Sequence, residues 1–224
     1  MSGAPTSRAV LPWVALSLLA EGDPKEPRIH AVALLSSNLP KEPQVYFREE
    51  AVAQPNMRRA LLSSTPTLPQ LYPLLQGWVQ EGRGLVLFDR FGAQLRALEQ
   101  EFARLTLPPL SFTGVPTLEV YRSVAPHARA RPTVERLIQE NLGMVLSRGR
   151  ESISNMWTKG DFTGALEALR QDVTGLYLLI DLGLKRGTVK LDGAPIRVDW
   201  DRRLRAAPRA PPMGGPPGLP FSKP

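Results

Sequence analysis

In the stretch LRQDVTGLYLLIDLGLKRGTVKL, residues 169–191, Asp172 stands where a helix would prefer an apolar residue. Leu166, Leu169, Val173, Leu176, Tyr177, Ile180 and Leu184 recur at the 3.6-residue period of one helical face, and Asp172 falls within or beside that stripe. A desolvated carboxylate is costly unless it is paired, hydrogen-bonded or bound to a metal. Asp172 therefore needs a partner, be it a backbone amide, an arginine or a metal ion. Glu21 and Asp23 stand just past a first predicted strand, and Asp89 closes a fourth. Three elements meeting at one sheet end would gather these carboxylates, and convergent carboxylates are what a pair of hard cations such as Mg2+ or Mn2+ requires. Glu21 and Asp23 read equally well as solvated residues of a proline-containing turn.

Other chemistries find less support. The chain has no cysteine, which excludes disulfides, thiol catalysis and cysteine–zinc sites. His30 and His127 are far apart in sequence, and neither has a neighbour at a spacing that marks a metal ligand or a base. No nucleophile elbow, Ser-x-x-Lys pattern, P-loop or dinucleotide fingerprint is present, which disfavours nucleotide hydrolysis.

The basic segments point to an anionic partner. The net charge is +7 and the pI is near 10.1, favouring nucleic acid or an acidic protein surface, with plain solubility as the alternative. YRSVAPHARARPTVER places Arg122, His127, Arg129, Arg131 and Arg136 in one turn-rich stretch. LSRGRESISNMWTKGD adds Arg148, Arg150 and Lys159, with Trp157 among them. Arginines that reach phosphates beside an aromatic on which a base stacks are recurring elements of single-strand binding. The same residues would also suit a solvated face over a core tryptophan.

The elements that must position these groups follow from periodicity. A chain of 224 residues, 42% hydrophobic, suits one domain with tails: a leader over 1–9, a domain over 10–200 and a Pro/Gly/Arg-rich tail over 201–224. That tail is expected to be flexible, with arginines for phosphate and prolines for a protein partner. Strands at 13–19, 29–35 and 44–49 form a meander; a helix over 68–80, a buried strand over 85–88 and a helix carrying Leu95, Leu98, Phe102 and Leu105 follow. PTLEVYRSV is ambiguous, PTVERLIQENLG is a helix stopped by Gly143, and VLSRGRESISNMWTKGD has no clean period. The long helix precedes a small hairpin, TVKL and IRVDW around DGAP. VLPWVALSLLA contains Pro12 and reads as a buried strand rather than a signal peptide, and no apolar run reaches the roughly 18–20 residues of a membrane span. The expectation is a soluble, cytoplasmic protein.

The order βββαβα, with an acid on the last long helix, is the layout of RNase H-like folds, and here the chain resembles the DEDD family of 3'-5' exonucleases. TVERLIQENLGM looks like the helix leading to the family's TLG element. MWTKGDFTGALEALRQDVTGLYLLIDLGLKRGTVKLDGAPIRVDW is similar to the family's ending, in which a tryptophan and glycine precede a short helix, an Asp-Val pair and a Gly-x-Val. The resemblance covers about residues 10–200 and is most specific from 133 onward. It implies an α/β domain whose mixed sheet joins a three-stranded antiparallel meander to parallel strands, flanked by helices. It also implies a two-metal site, Mg2+ or Mn2+, with Asp172 on the family's last acidic ligand.

The remaining family positions depart from the pattern. Ala15 and Ser17 stand where an Asp-x-Glu pair would be, and Ala93 or Gln94 falls near the metal-binding aspartate of the second motif. Asp89 takes a position usually held by asparagine, while Glu167 and Ala168 occupy the His and Tyr positions of two subfamilies. The resemblance thus implies a degenerate member, without cofactor, that binds single-stranded DNA or RNA or serves in a DNA-processing complex. An active exonuclease with rearranged acids and a protein–protein adaptor are the alternatives.

Overall fold

The computed structural model describes residues 12–22, 26–38, 42–89, 93–146 and 150–205, with the side chains of Arg150 and Glu151 outside that set. Asp23, Arg148, the leader and residues 206–224 lie outside the described residues, as does the Arg150 side chain.

Three strands form the expected meander: β1 (Trp13–Glu21), β2 (Arg28–Ser36) and β3 (Gln44–Phe47). A strand β4 (Gly84–Leu87) lies parallel to β1 on its other side, and β5 (Thr117–Glu119) lies parallel to β4. The sheet order is β3-β2-β1-β4-β5, which places β1 at the centre. Burial on both faces explains why β1 and β4 read as continuous apolar runs rather than alternating ones. Trp13, Ala15 and Leu19 of β1 join one core layer, while Val14, Leu16 and Leu18 join the other.

The second layer is covered by α2 (Leu68–Glu81) and α3 (Gln94–Arg104). A reciprocal capping box between Thr67 and Gln70 starts α2, and Gly82, at φ 69°, stops it. The first layer is covered by α5 (Val134–Leu142), α6 (Arg150–Thr158) and α7 (Phe162–Arg186). Asp161 caps α7 by accepting from the Gly164 amide at 3.0 Å. Past α7, β6 (Thr188–Leu191) and β7 (Ala194–Arg197) form the expected hairpin. Its turn, Asp192 at φ 54° and Gly193 at φ 77°, is the primed kind that matches strand twist. The side-chain amide of Asn141 covers the outer edge of β6, donating to the Lys190 carbonyl at 2.8 Å and accepting from its amide at 2.6 Å.

The structure adds to the sequence reading at three points and corrects it at one. A short helix α1 (Pro55–Leu62) precedes α2, and its polar pattern of about two turns gives no signal. The ambiguous TLEVYRSV divides into β5 and α4 (Val120–Val124). The stretch without a period is α6. Residues 201–204, assigned to the tail by composition, belong to α8 (Trp200–Leu204), whose Trp200 and Leu204 are fully buried. Gly183 and Gly84 make room for them: a Cβ on Gly183 would come within 2.2 Å of the Trp200 ring, and one on Gly84 within 2.9 Å of Leu204.

Candidate functional site

Because β1 and β4 are parallel, their carboxyl ends reach the same edge of the sheet, where ligands of open α/β sheets usually bind. The start of α3 is held at that edge, and α7 packs along β1 and β2 on the other face. Alternation along β1 turns Ser17 toward α7, as it does Ala15 and Leu19. The Ser17 hydroxyl there donates to Oδ2 of Asp172, and both residues are buried, at 0% and 2% exposure. Asp172 therefore sits inside the apolar stripe of α7 and is hydrogen-bonded across the layer boundary. Ala15, fully buried, lies one pleat away.

Asp89 does different work. It is buried at 4% exposure and its Oδ2 accepts from the Gln94 amide at 2.7 Å. The N-cap residue of α3 is Ala93, which has no side-chain oxygen to offer. Asp89 supplies that acceptor from outside the helix, at the end where the dipole favours a negative charge. An apolar cavity of about 570 Å3 opens beside it, lined by Leu18, Ala20, Ile29, Ala93 and Ala97 among others.

Glu21, at the end of β1, accepts from Ser154 at 2.8 Å and from Thr158 at 2.9 Å, both on α6, and contacts His30 Nε2 at 3.2 Å. His30 occupies an irregularity in β2: Ala20 pairs with Ile29 and Leu19 with Ala31, which leaves His30 as the extra residue. The bulge turns its ring onto Trp157, with ring centres 5.4 Å apart. Burial pushes the His30 imidazole below its ordinary value, opposed by Glu21 and aided by Arg48. Burial would raise Glu21, but the hydrogen bonds from Ser154 and Thr158 and the nearby His30 hold it below the usual carboxylate value.

These placements do not assemble a metal pair. Among the described residues no three His, Asp or Glu side chains are grouped to hold a metal ion. The carboxylates of Glu21, Asp89 and Asp172 are engaged at separate points along the sheet: with α6, with the start of α3 and with Ser17. The donor set among the described residues does not fit two hard cations. Glu167 is exposed and paired with Arg170 at 3.2 Å, and Ala168 is buried.

The basic residues are scattered over several elements. Arg122 is exposed and paired with Glu119 at 2.9 Å. The backbone amide of Arg129 donates to Asp192 in the hairpin turn at 2.7 Å, and Arg136 bridges Asp192 and Glu140. Arg131, His127 and Lys159 are exposed. Trp157 corrects the expectation of a stacking platform: it is 4% exposed, packed between His30 and Phe162, so its ring faces are occupied by protein. One charged group escaped the sequence reading altogether. Glu101 of α3 is 1% exposed and accepts from the Ile29 amide, Arg48 and Arg104. Its position three residues after Leu98 and one before Phe102 was the same kind of signal that marked Asp172.

No protein-family model matches the chain, and no curated protein matches it. Among solved structures it is similar to the family B DNA polymerase from the hyperthermophilic archaeon Pyrobaculum calidifontis, with a TM-score of 0.57 and 14% identity. The match covers 82% of this chain and 25% of the polymerase chain, so this chain spans about a quarter of that polymerase's length. At that identity the likeness speaks for the fold, which is a mixed five-stranded α/β sheet flanked by helices, of the RNase H-like kind.

Proposed function

We propose that this protein is a catalytically degenerate relative of the DEDD exonucleases that binds single-stranded DNA or RNA, or serves as a component of a DNA-processing complex. The observation that carries the reading is the surrounding of Asp172. The acid stands at the position the resemblance gives to the family's last metal ligand, yet it meets a serine hydroxyl on β1 where an Asp-x-Glu pair would bring carboxylates. A single carboxylate bonded to a hydroxyl in a closed core keeps the family's layout without its donor set. The net charge of +7 supports an anionic partner, and the structural neighbour is by name a DNA polymerase. No helix among the described residues is long and apolar enough to cross a membrane, and the setting we propose is cytoplasmic.

One observation favours the adaptor reading as second choice: with Trp157 in the core, the aromatic expected to stack on a base is absent from the surface. End-labelled single- and double-stranded DNA and RNA, incubated with Mg2+ or Mn2+ and wild type or Asp172→Ala, test the proposal. Intact substrate in every lane with a salt-sensitive gel shift is the expected result. Shortening from the 3' end that disappears in the variant would make the protein an active nuclease. Intact substrate without any shift at low salt would leave the adaptor.

A further inference from the structure

The net positive charge of this chain is concentrated in a few segments of the sequence. Residues 117–146 and 181–205 together carry 11 Arg and Lys against 7 Asp and Glu, and the residues after 205 add Arg209 and Lys223 without an acid. Those segments account for six of the seven net positive charges.

The fold joins the first two of these segments. Trp200 Nε1 of α8 donates to Ser123 Oγ of α4 at 2.8 Å, and Arg136 of α5 pairs with Asp192 of the hairpin turn at 2.6 Å. The end of α7, the end of β7 and the start of α8 share one recess, lined by Leu184, Gly187, Arg197, Val198, Asp199 and Asp201. With Trp200 and Leu204 buried, α8 turns Arg202, Arg203 and Arg205 outward. Thr188 pairs with Arg197, so Arg197 and Lys190 stand on the same outer face of the hairpin. Lys185 and Arg186, in the last turn of α7, are also exposed.

Lys185, Arg202 and Arg205 are paired with Asp181, Asp199 and Asp201. Arg186, Lys190, Arg197 and Arg203 have no carboxylate partner among the described residues. We propose that this end, formed by the last turn of α7, the outer face of the hairpin and α8, is a contact surface for the sugar–phosphate backbone of a nucleic acid. It rests on the reading that the protein binds nucleic acid, and it places the main contact away from the sheet edge where Asp89 and Glu21 lie. Three of the four unpaired cations are arginines, whose planar fork matches phosphate oxygens. A protein-binding surface has an apolar centre, whereas of the exposed large apolar side chains among the described residues Leu62, Leu74, Met144 and Val145 lie outside α7, the hairpin and α8, and Leu178 lies in α7 ahead of its last turn. Contact by charge alone carries no base preference.

The test is fluorescence anisotropy of a labelled oligothymidylate of about 25 nucleotides across a salt series, a length that would cover several phosphate contacts. Full-length wild type is compared with Arg186→Ala/Arg197→Ala/Arg203→Ala and with Arg28→Ala/Arg59→Ala/Arg96→Ala, three exposed cations elsewhere. Melting curves confirm that both variants fold. The first variant should bind roughly tenfold or more weakly at low salt and lose about 2 from the log–log salt slope, since each phosphate contact on a single strand contributes about 0.7. The second should bind like wild type. If the second variant loses affinity and the first does not, or both lose it equally, this surface is wrong while nucleic-acid binding stands. Displacement of the oligonucleotide by polyglutamate as readily as by unlabelled oligonucleotide would overturn it in favour of an acidic polypeptide. A wild type that does not bind at low salt overturns the surface and the underlying reading together.

Discussion

Ser17 and Asp172 depend on each other because neither can reach water. Ser17→Ala removes one donor from a buried carboxylate, and Asp172→Ala removes the acceptor from a buried hydroxyl; each should cost on the order of 1–3 kcal/mol. Urea denaturation checks this, and Asp172→Asn, which keeps an acceptor oxygen, should cost less than Asp172→Ala. His30 and Glu21 make the stability fall on acidification. Both have folded-state values below their ordinary ones of 6.5 and 4.5, so their contribution is complete above those values and is lost as pH falls through the depressed ones. The charged groups around His30 are Glu21 on β1, Arg48 after β3 and Glu101 on α3. The melting temperature should therefore drop between pH 7 and 5, and His30→Gln should flatten that part of the profile. Asp172 was legible at this scale because a helical period exposes an acid that breaks it. Its partner was legible only through the family resemblance, since Ser17 is a common residue in an apolar strand. The Glu21 and His30 contacts were not legible, because a bulge changes side-chain direction without leaving a mark in composition.

At the scale of elements, long periodic segments were read to within a residue or two, and short ones were lost. The meander, α2, α3, α5, α7 and the hairpin stand where periodicity and turn residues placed them. Helices such as α1 and α6 have too few turns for a period to declare itself, and tertiary packing decides them. The case of α8 differs: its arginines and the prolines beyond it resemble a tail in composition, while two side chains, Trp200 and Leu204, fix it to the core. A chain ended after residue 199 should therefore lose several kcal/mol, since removing a buried tryptophan side chain alone costs about 3–5 kcal/mol. Gly183→Ala tests the same contact from the other side. The added methyl would meet the Trp200 ring well inside contact distance, and the expected destabilisation is about 1–3 kcal/mol by thermal unfolding.

For the whole molecule, the sequence revealed the sign of the charge but not its location. A pI near 10.1 favours an anionic partner, and only the fold shows that segments some 40 residues apart, α4 and α5 on one side and the hairpin and α8 on the other, share one end. Folding also decides how this end behaves toward a second copy of the chain. A two-stranded ribbon normally offers bare backbone on both sides, and bare backbone recruits further strands. On one side Pro195 has no amide to give, and on the other the carboxamide of Asn141 imitates the backbone of an absent neighbour, with one donor and one acceptor at Lys190. Asn141→Leu would uncover that side without altering the charge around it. Sedimentation should then show concentration-dependent association that wild type lacks, and Asn141 would be the residue that keeps a sticky fold solitary.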